Sequence, residues 1–300
     1  MQKVGGFMPI ETKITDAAYV RAALPKRPKD ANKSTFGRVL LVCGSGDMRG
    51  AAALSVLGAL RCGAGLVTLA STREVIDALS QSIYEAMYFD IDRGDPLTKA
   101  AGMNAVGFGC GLGKTDEGRV RLAALLGQSG APLVIDADGL NLLSETPSLL
   151  KTAARPVVLT PHPLEFSRLC GKPVAEIQSD RIESALRFAK EAFNPTEGGV
   201  LLLKGAGTVI TDGARVFVNP TGSSALSKGG SGDTLCGMIC AFIAEGASPF
   251  DAAVIAAYIH GLAAERCAKV YSDYGVLASD VAAEAAKVIC TLTAGEETNA

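Results

Sequence analysis

Asn219-Pro-Thr-Gly-Ser-Ser-Ala-Leu-Ser-Lys-Gly-Gly-Ser-Gly-Asp-Thr-Leu-Cys-Gly237 follows a short apolar run, Val216–Asn219, and passes into an Ala-rich, helical stretch. Gly229, Gly230 and Gly232 would expose consecutive backbone N–H groups where the helix begins, a geometry suited to phosphoryl oxygens. Asp233 falls in the first helical turn, where a carboxylate can take a proton from an attacking hydroxyl. The bland reading is an N-capping Asp worth about 1 kcal/mol. A cap alone requires neither three glycines nor the fourth at Gly237, so phosphoryl transfer is the preferred reading.

Upstream of this stretch, Gly199–Lys204, Thr208–Thr211 and Val216–Asn219 read as short strands of a meander. Earlier still, the apolar runs Arg38–Cys43, Gly65–Ala70, Ala105–Gly109, Pro132–Asp136 and Pro156–Thr160 read as buried strands. Helices are expected between them at Ala51–Cys62, Thr115–Leu126, Leu164–Cys170 and Asp180–Ala192. Downstream lie long helices over roughly 233–245, 250–269 and 279–292. The alternation predicts an α/β fold, with a mostly parallel central sheet, helices on both faces and a ligand cleft at the carboxyl ends of the strands. No linker or repeat divides the chain, so 1–300 is expected to be one domain. The polar leader 1–35 carries one short helix at Asp16–Ala23, and 1–15 and 293–300 are expected to be loose.

Composition narrows the function classes. Of 300 residues, 48% are hydrophobic and 20% charged, ample for a large core. A net charge of −2 without a basic block argues against nucleic-acid binding. Eight Cys without a C-x-x-C pair read as reduced, mostly buried thiols, and two His exclude a multi-His metal site. No apolar run reaches membrane-span length and no signal-like segment opens the chain, so a cytoplasmic protein is expected.

Two other glycine loops compete. Gly44-Ser-Gly-Asp-Met-Arg-Gly50 is one residue too long for a dinucleotide fingerprint, although Arg73 beyond the next strand could suit a 2′-phosphate. Gly109-Cys-Gly-Leu-Gly-Lys-Thr115 nearly matches a P-loop, but Phe108 stands where that motif needs Gly. His162, between Pro161 and Pro163, could simply be displayed by a rigid turn, and Lys204 could be a solvated strand end. Asp136 and Asn141 could form a helix-cap pair, and His260 reads as a satisfied core or wall residue.

Taken in order, several segments resemble the ADP-dependent NAD(P)H-hydrate dehydratase family of the ribokinase-like superfamily. They are Gly37-Arg-Val-Leu-Leu-Val-Cys-Gly-Ser45, Gly50-Ala-Ala-Ala53, Leu60-Arg-Cys-Gly-Ala-Gly-Leu-Val67, Asp136-Ala-Asp-Gly-Leu-Asn141, Leu159-Thr-Pro-His-Pro-Leu-Glu165, Leu203-Lys-Gly-Ala-Gly-Thr208, Asn219-Pro-Thr-Gly222 and the Gly229–Asp233 loop. The resemblance spans roughly residues 16–292 and implies a three-layer ribokinase-like fold. It implies that hydrated NADH or NADPH, a 6-hydroxy derivative, is returned to NAD(P)H at the expense of ADP, releasing AMP and phosphate. The ring hydroxyl would first be phosphorylated, turning a poor leaving group into a better one. Carried over by residue, Asp233 matches the base, and Gly230 and Gly232 the anion hole. Lys204, Gly205, Ala206, Gly207 and Thr208 match the nucleotide loop, and Ala51, Gly111 and His162, with Asp233, the substrate pocket. Glu165 matches a carboxylate that positions Mg²⁺ through water. The family also suggests a homo-oligomer, and an epimerase domain fused to this module in some relatives is not expected in this chain. Three positions depart from the family pattern: Leu164 for Gly, Ser223 for Asn and Cys110 for Pro. The alternatives are a small-molecule kinase of the hydroxyethylthiazole or pyrimidine type, a non-catalytic nucleotide-binding regulator and a Rossmann oxidoreductase.

Overall fold

The run Arg38–Val42 sends Val39 and Leu41 into one apolar core and Leu40 and Val42 into another, because successive strand side chains point to opposite faces. Both faces are therefore covered. The computed structural model describes residues 10–294. Its strands are β1 (Thr12–Ile14), β2 (Arg38–Val42), β3 (Leu66–Ser71), β4 (Met87–Asp90), β5 (Ala105–Phe108), β6 (Leu133–Ile135), β7 (Val157–Leu159), β8 (Gly199–Leu203), β9 (Thr208–Thr211) and β10 (Val216–Asn219). Its helices are α1 (Ala17–Ala23), α2 (Arg49–Arg61), α3 (Arg73–Leu79), α4 (Pro96–Ala100), α5 (Asp116–Gly127), α6 (Asp138–Ser144), α7 (Pro163–Cys170), α8 (Val174–Ser179), α9 (Arg181–Ala192), α10 (Ser231–Ala244), α11 (Pro249–Gly275) and α12 (Ala278–Thr293).

The ten strands form one sheet in the order β1-β10-β9-β8-β7-β6-β5-β2-β3-β4. All neighbours are parallel except β8–β9 and β9–β10, which make the expected meander. Helices α2, α10, α11 and α12 cover the face of Val39 and Leu41, and α5, α6, α7 and α9 cover the other. The three layers agree with the expected mostly parallel fold. From β2 the chain builds outward through β3 and β4, and from β5 it builds the opposite way through β6, β7 and β8. The order therefore reverses between β2 and β5, which opens a crevice beyond their carboxyl ends.

Two details correct the sequence reading. Thr12–Ile14 is not loose: it pairs in parallel with β10, Lys13 opposite Phe217. Thr293 likewise closes α12. The remainder of the expected loose termini, 1–9 and 295–300, lies outside the described residues. Gly237 belongs to packing and not to an anion site: a Cβ there would fall 1.9 Å from the Ser55 carbonyl oxygen, and one on Gly58 would fall 2.3 Å from that of Thr234. These two glycines let α2 and α10 approach closely, which sets the head of α10 against the loops after β2 and β5.

Candidate active site

Strands β2, β5 and β7 run in parallel, so the loops that leave them converge on one edge of the sheet. Gly44 leaves β2 and donates its N–H to the Cys110 carbonyl at 2.8 Å. Gly111 follows β5, and a Cβ added there would lie 2.6 Å from the Ala51 Cβ. His162 follows β7 and caps α7, its Nδ1 accepting from the N–H groups of Leu164 (3.1 Å) and Glu165 (3.3 Å). Glu165 returns the bond, its Oε2 accepting the His162 N–H at 2.8 Å. This reciprocal cap explains why His and Glu stand three residues apart. It also gives His162 a structural duty, while its side chain remains 47% exposed to the crevice edge.

Asp136, at the end of β6, lies beneath these loops, 1% exposed. Its Oδ1 accepts from Lys204 Nζ at 2.7 Å, and Lys204 also lies 3.9 Å from Glu165 Oε2. Burial works against the Lys204 ammonium, but Asp136 and Glu165 more than offset it and raise its pKa. Lys204 is therefore the ion-pair centre of the site, not a solvated strand end. Gly205, Ala206 and Gly207 beyond it are exposed in the β8–β9 turn, and the Thr208 hydroxyl closes that turn on the Gly205 carbonyl at 3.0 Å.

The glycine loop delivers Asp233 to the same place. Gly230, in left-handed backbone (φ 94°), is the N-cap of α10, and no side chain caps the helix. Asp233 sits at the third helical position, so the capping alternative is overturned. The first N–H groups of α10 are a ready anion site. A Cβ on Gly232 would meet Lys204 Nζ at 3.1 Å and Asp136 Oδ2 at 3.2 Å, so only Gly leaves this space open. Burial, then repulsion from Asp136, raises the Asp233 pKa, while Cys110 and Lys204 pull it back.

Sequence reading left Asp136 among possible caps. The structure instead makes Ala137 the N-cap of α6, at φ 49°, and Asn141 accepts from Arg168 at 2.6 Å. A non-Gly residue at positive φ marks strain between Asp136 and Asp138, of the kind that collects at functional sites. His260 is not satisfied: it is 5% exposed, its Nε2 has no partner, and burial pushes its pKa down to about 4. Its other contact is with the Ser231 backbone at the head of α10. Arg73 pairs with Asp77 and Thr115 caps α5, which gives both residues of the rival glycine-loop readings local structural duties. Of the departures, Leu164 is exposed on α7, Ser223 caps the short helix Ser224–Leu226, and Cys110 lies among the carboxylates.

The Glu165 carboxyl is lifted to about 7, chiefly by burial and then by Asp136, against Lys204 and the His162 N–H. A folded-state pKa above the unfolded value means that the folded protein keeps this proton as pH rises from about 4.5 to about 7, and loses stability across that interval. Glu165→Gln preserves the reciprocal cap but removes the charge. The nucleotide-free variant is expected to melt with the parent near about pH 5 and above it near about pH 8. Calorimetric melts at both pH values check this; a gap independent of pH would contradict it.

A family model described as NAD(P)H-hydrate dehydratase matches residues 39–287. The chain belongs to this family. It is 36% identical over 271 residues to the ADP-dependent (S)-NAD(P)H-hydrate dehydratase of Bacillus subtilis, covering 88% of this chain and 92% of that one. It is 37% identical over 293 residues to the bifunctional NAD(P)H-hydrate repair enzyme of Moorella thermoacetica, covering 93% of this chain and 54% of the relative. The chain thus spans about half the length of such bifunctional relatives. A crystal structure of the B. subtilis ADP/ATP-dependent NAD(P)H-hydrate dehydratase, co-crystallised with ATP and Mg²⁺, superposes with a TM-score of 0.82 at 34% identity, covering 95% of this chain and all of that one. The fold is ribokinase-like: a ribokinase-like superfamily protein of Enterococcus faecalis superposes with a TM-score of 0.82 at 26% identity, covering 94% of this chain and 96% of that one.

Proposed function

We propose that this chain dehydrates hydrated NADH or NADPH at the expense of ADP, restoring the reduced cofactor and releasing AMP and phosphate. The observation that carries the reading is the meeting of Asp233, Lys204 and the uncapped head of α10 at one point of the crevice, in a chain of the hydrate-dehydratase family. Asp233 accepts the proton of the ring hydroxyl as that oxygen attacks the terminal phosphoryl group of ADP. The N–H groups of α10 receive the phosphoryl oxygens, and Lys204 adds positive charge beside them. The C–O bond then breaks with loss of phosphate, the neighbouring ring carbon gives up a proton to water, and the ring double bond re-forms. Ala51, Gly111 and His162 form the substrate side, and Lys204–Thr208 the nucleotide side. The oxygen chemistry of Glu165 fits Mg²⁺ held through water, since that ion keeps much of its hydration. When bound with the nucleotide, Mg²⁺ neutralises charge on the transferred group.

The test is incubation with hydrated NADH, Mg²⁺ and ADP while NADH absorbance is followed. Recovery dependent on ADP supports the reading. Recovery with ATP alone reassigns the donor, and no recovery with either nucleotide contradicts the reading.

A further inference from the structure

Beyond β10 the chain is tied along α11 before it reaches the head of α10. Asn219 Nδ2 donates to the Ala257 carbonyl at 3.1 Å, and the Thr221 hydroxyl donates to that of Tyr258 at 2.9 Å. Further on, the Gly222 N–H donates to Glu265 Oε1 at 2.7 Å and the Ala225 N–H to Asp273 Oδ1 at 3.2 Å. The last tether is Lys228, whose Nζ donates to the carbonyl oxygen of Tyr274 and, at 2.7 Å, to that of Val276.

A lysine in this place has an ordinary duty, because the last carbonyls of a helix lack partners and a cation can satisfy them. Two observations go beyond that duty. First, Ala137 and Ser272 are the non-Gly residues at positive φ among the described residues. Ala137 adjoins Asp136, and Ser272, at φ 58° and ψ 166°, breaks α11 two residues before Tyr274. Such backbone is nearly confined to Gly and persists only where its surroundings hold it. Second, Lys228 directly precedes the N–H groups at the head of α10, and its own carbonyl accepts from the Ser231 N–H at a long 3.4 Å. A Cβ on Gly229 would meet no other part of the protein within 4 Å, and no side chain caps α10. Neither packing nor a cap therefore fixes Gly229, and the nearest anchor upstream is the Lys228 ammonium.

We propose that Lys228 is a positioning residue for phosphoryl transfer: by gripping the Tyr274 and Val276 carbonyls it sets the glycine loop so that the first N–H groups of α10 face the transferred group. The proposal rests on the reading of that helix head as the anion site. Donors of this kind stabilise a transition state only while they are held in place beforehand. A slack loop therefore costs turnover more than it costs ADP binding, which the Lys204–Thr208 turn shares.

Lys228→Met, Lys228→Arg and Asp233→Asn are compared with the parent in the NADH-recovery assay, with melting curves alongside. Lys228 is exposed, so the Met variant should fold. Its kcat is expected to fall by about tenfold to a hundredfold, the scale of a small misplacement of catalytic groups. The KM for ADP should hold, and Lys228→Arg, which keeps donors for both carbonyls, should recover most of the loss. A Met variant with the parent's kcat, beside an inactive Asp233→Asn, overturns the positioning role and leaves the anion-site reading standing. A lower melting temperature with unchanged kcat reduces Lys228 to a helix cap and overturns it as well. So do equal losses in Met and Arg, or a raised KM for ADP with kcat unchanged, which would put the ammonium on the nucleotide itself. No NADH recovery in the parent with either nucleotide overturns the underlying reading and this proposal with it.

Discussion

Asp233→Asn is expected to lower turnover by at least about a hundredfold while leaving ADP affinity near that of the parent. The substitution is nearly isosteric, and Asp233 supplies no cap to α10, whose N-cap is Gly230. The helix should therefore keep its place and the protein its melting temperature. What disappears is the carboxylate of the first turn of α10, which, unlike Asp136, is not held by Lys204 in a hydrogen bond. General-base contributions of about 10²–10⁴-fold set the scale of the loss. Removing a negative charge beside the phosphates favours nucleotide binding slightly. Titration calorimetry with ADP and the NADH-recovery assay report the two halves of the expectation. Full turnover would force the base to be reassigned.

Lys204→Met is expected to remove activity and to destabilise the protein by roughly 2–3 kcal/mol. Breaking a buried ion pair by removing one partner costs about 3–5 kcal/mol, because the other charge is stranded. The Lys204 side chain keeps 21% of its surface, so solvent moderates the figure. Without the ammonium, Asp136 is left as a buried charge with its cation partner removed. Asp136→Asn in the same chain removes the stranded charge. The double variant is therefore expected to regain most of the lost stability and none of the activity. Denaturant unfolding and the NADH-recovery assay, run on the single and double variants, separate these effects. Parent-like stability in Lys204→Met would contradict the pairing as described.

How much of this was legible in the sequence followed physical rules. Buried parallel strands such as Arg38–Val42 and Val157–Leu159 read as unbroken apolar runs, because both of their faces are covered. Strand β1 gave no such signal: its three residues are exposed, and only backbone pairing to β10 makes it a strand. The short helices α3, α4 and α6 were equally silent, since five to seven residues carry too little periodicity. Asp233 and its glycines were legible because their spacing is local. Asp136 was not, because its role depends on Lys204, 68 residues away, and on a strained Ala137 that no residue type announces. Gly237 was counted in favour of function over a simple cap because sequence cannot separate a glycine that meets a ligand from one that meets a helix.

The central claim is that phosphate passes through the substrate and leaves it. Phosphorus NMR of a reaction containing hydrated NADH, ADP and Mg²⁺ follows that phosphate directly. The account predicts AMP and inorganic phosphate in equal amounts, each matching the NADH restored. A phosphorylated product that persists, with AMP formed but no NADH recovered, would contradict it and mark the chain as a kinase.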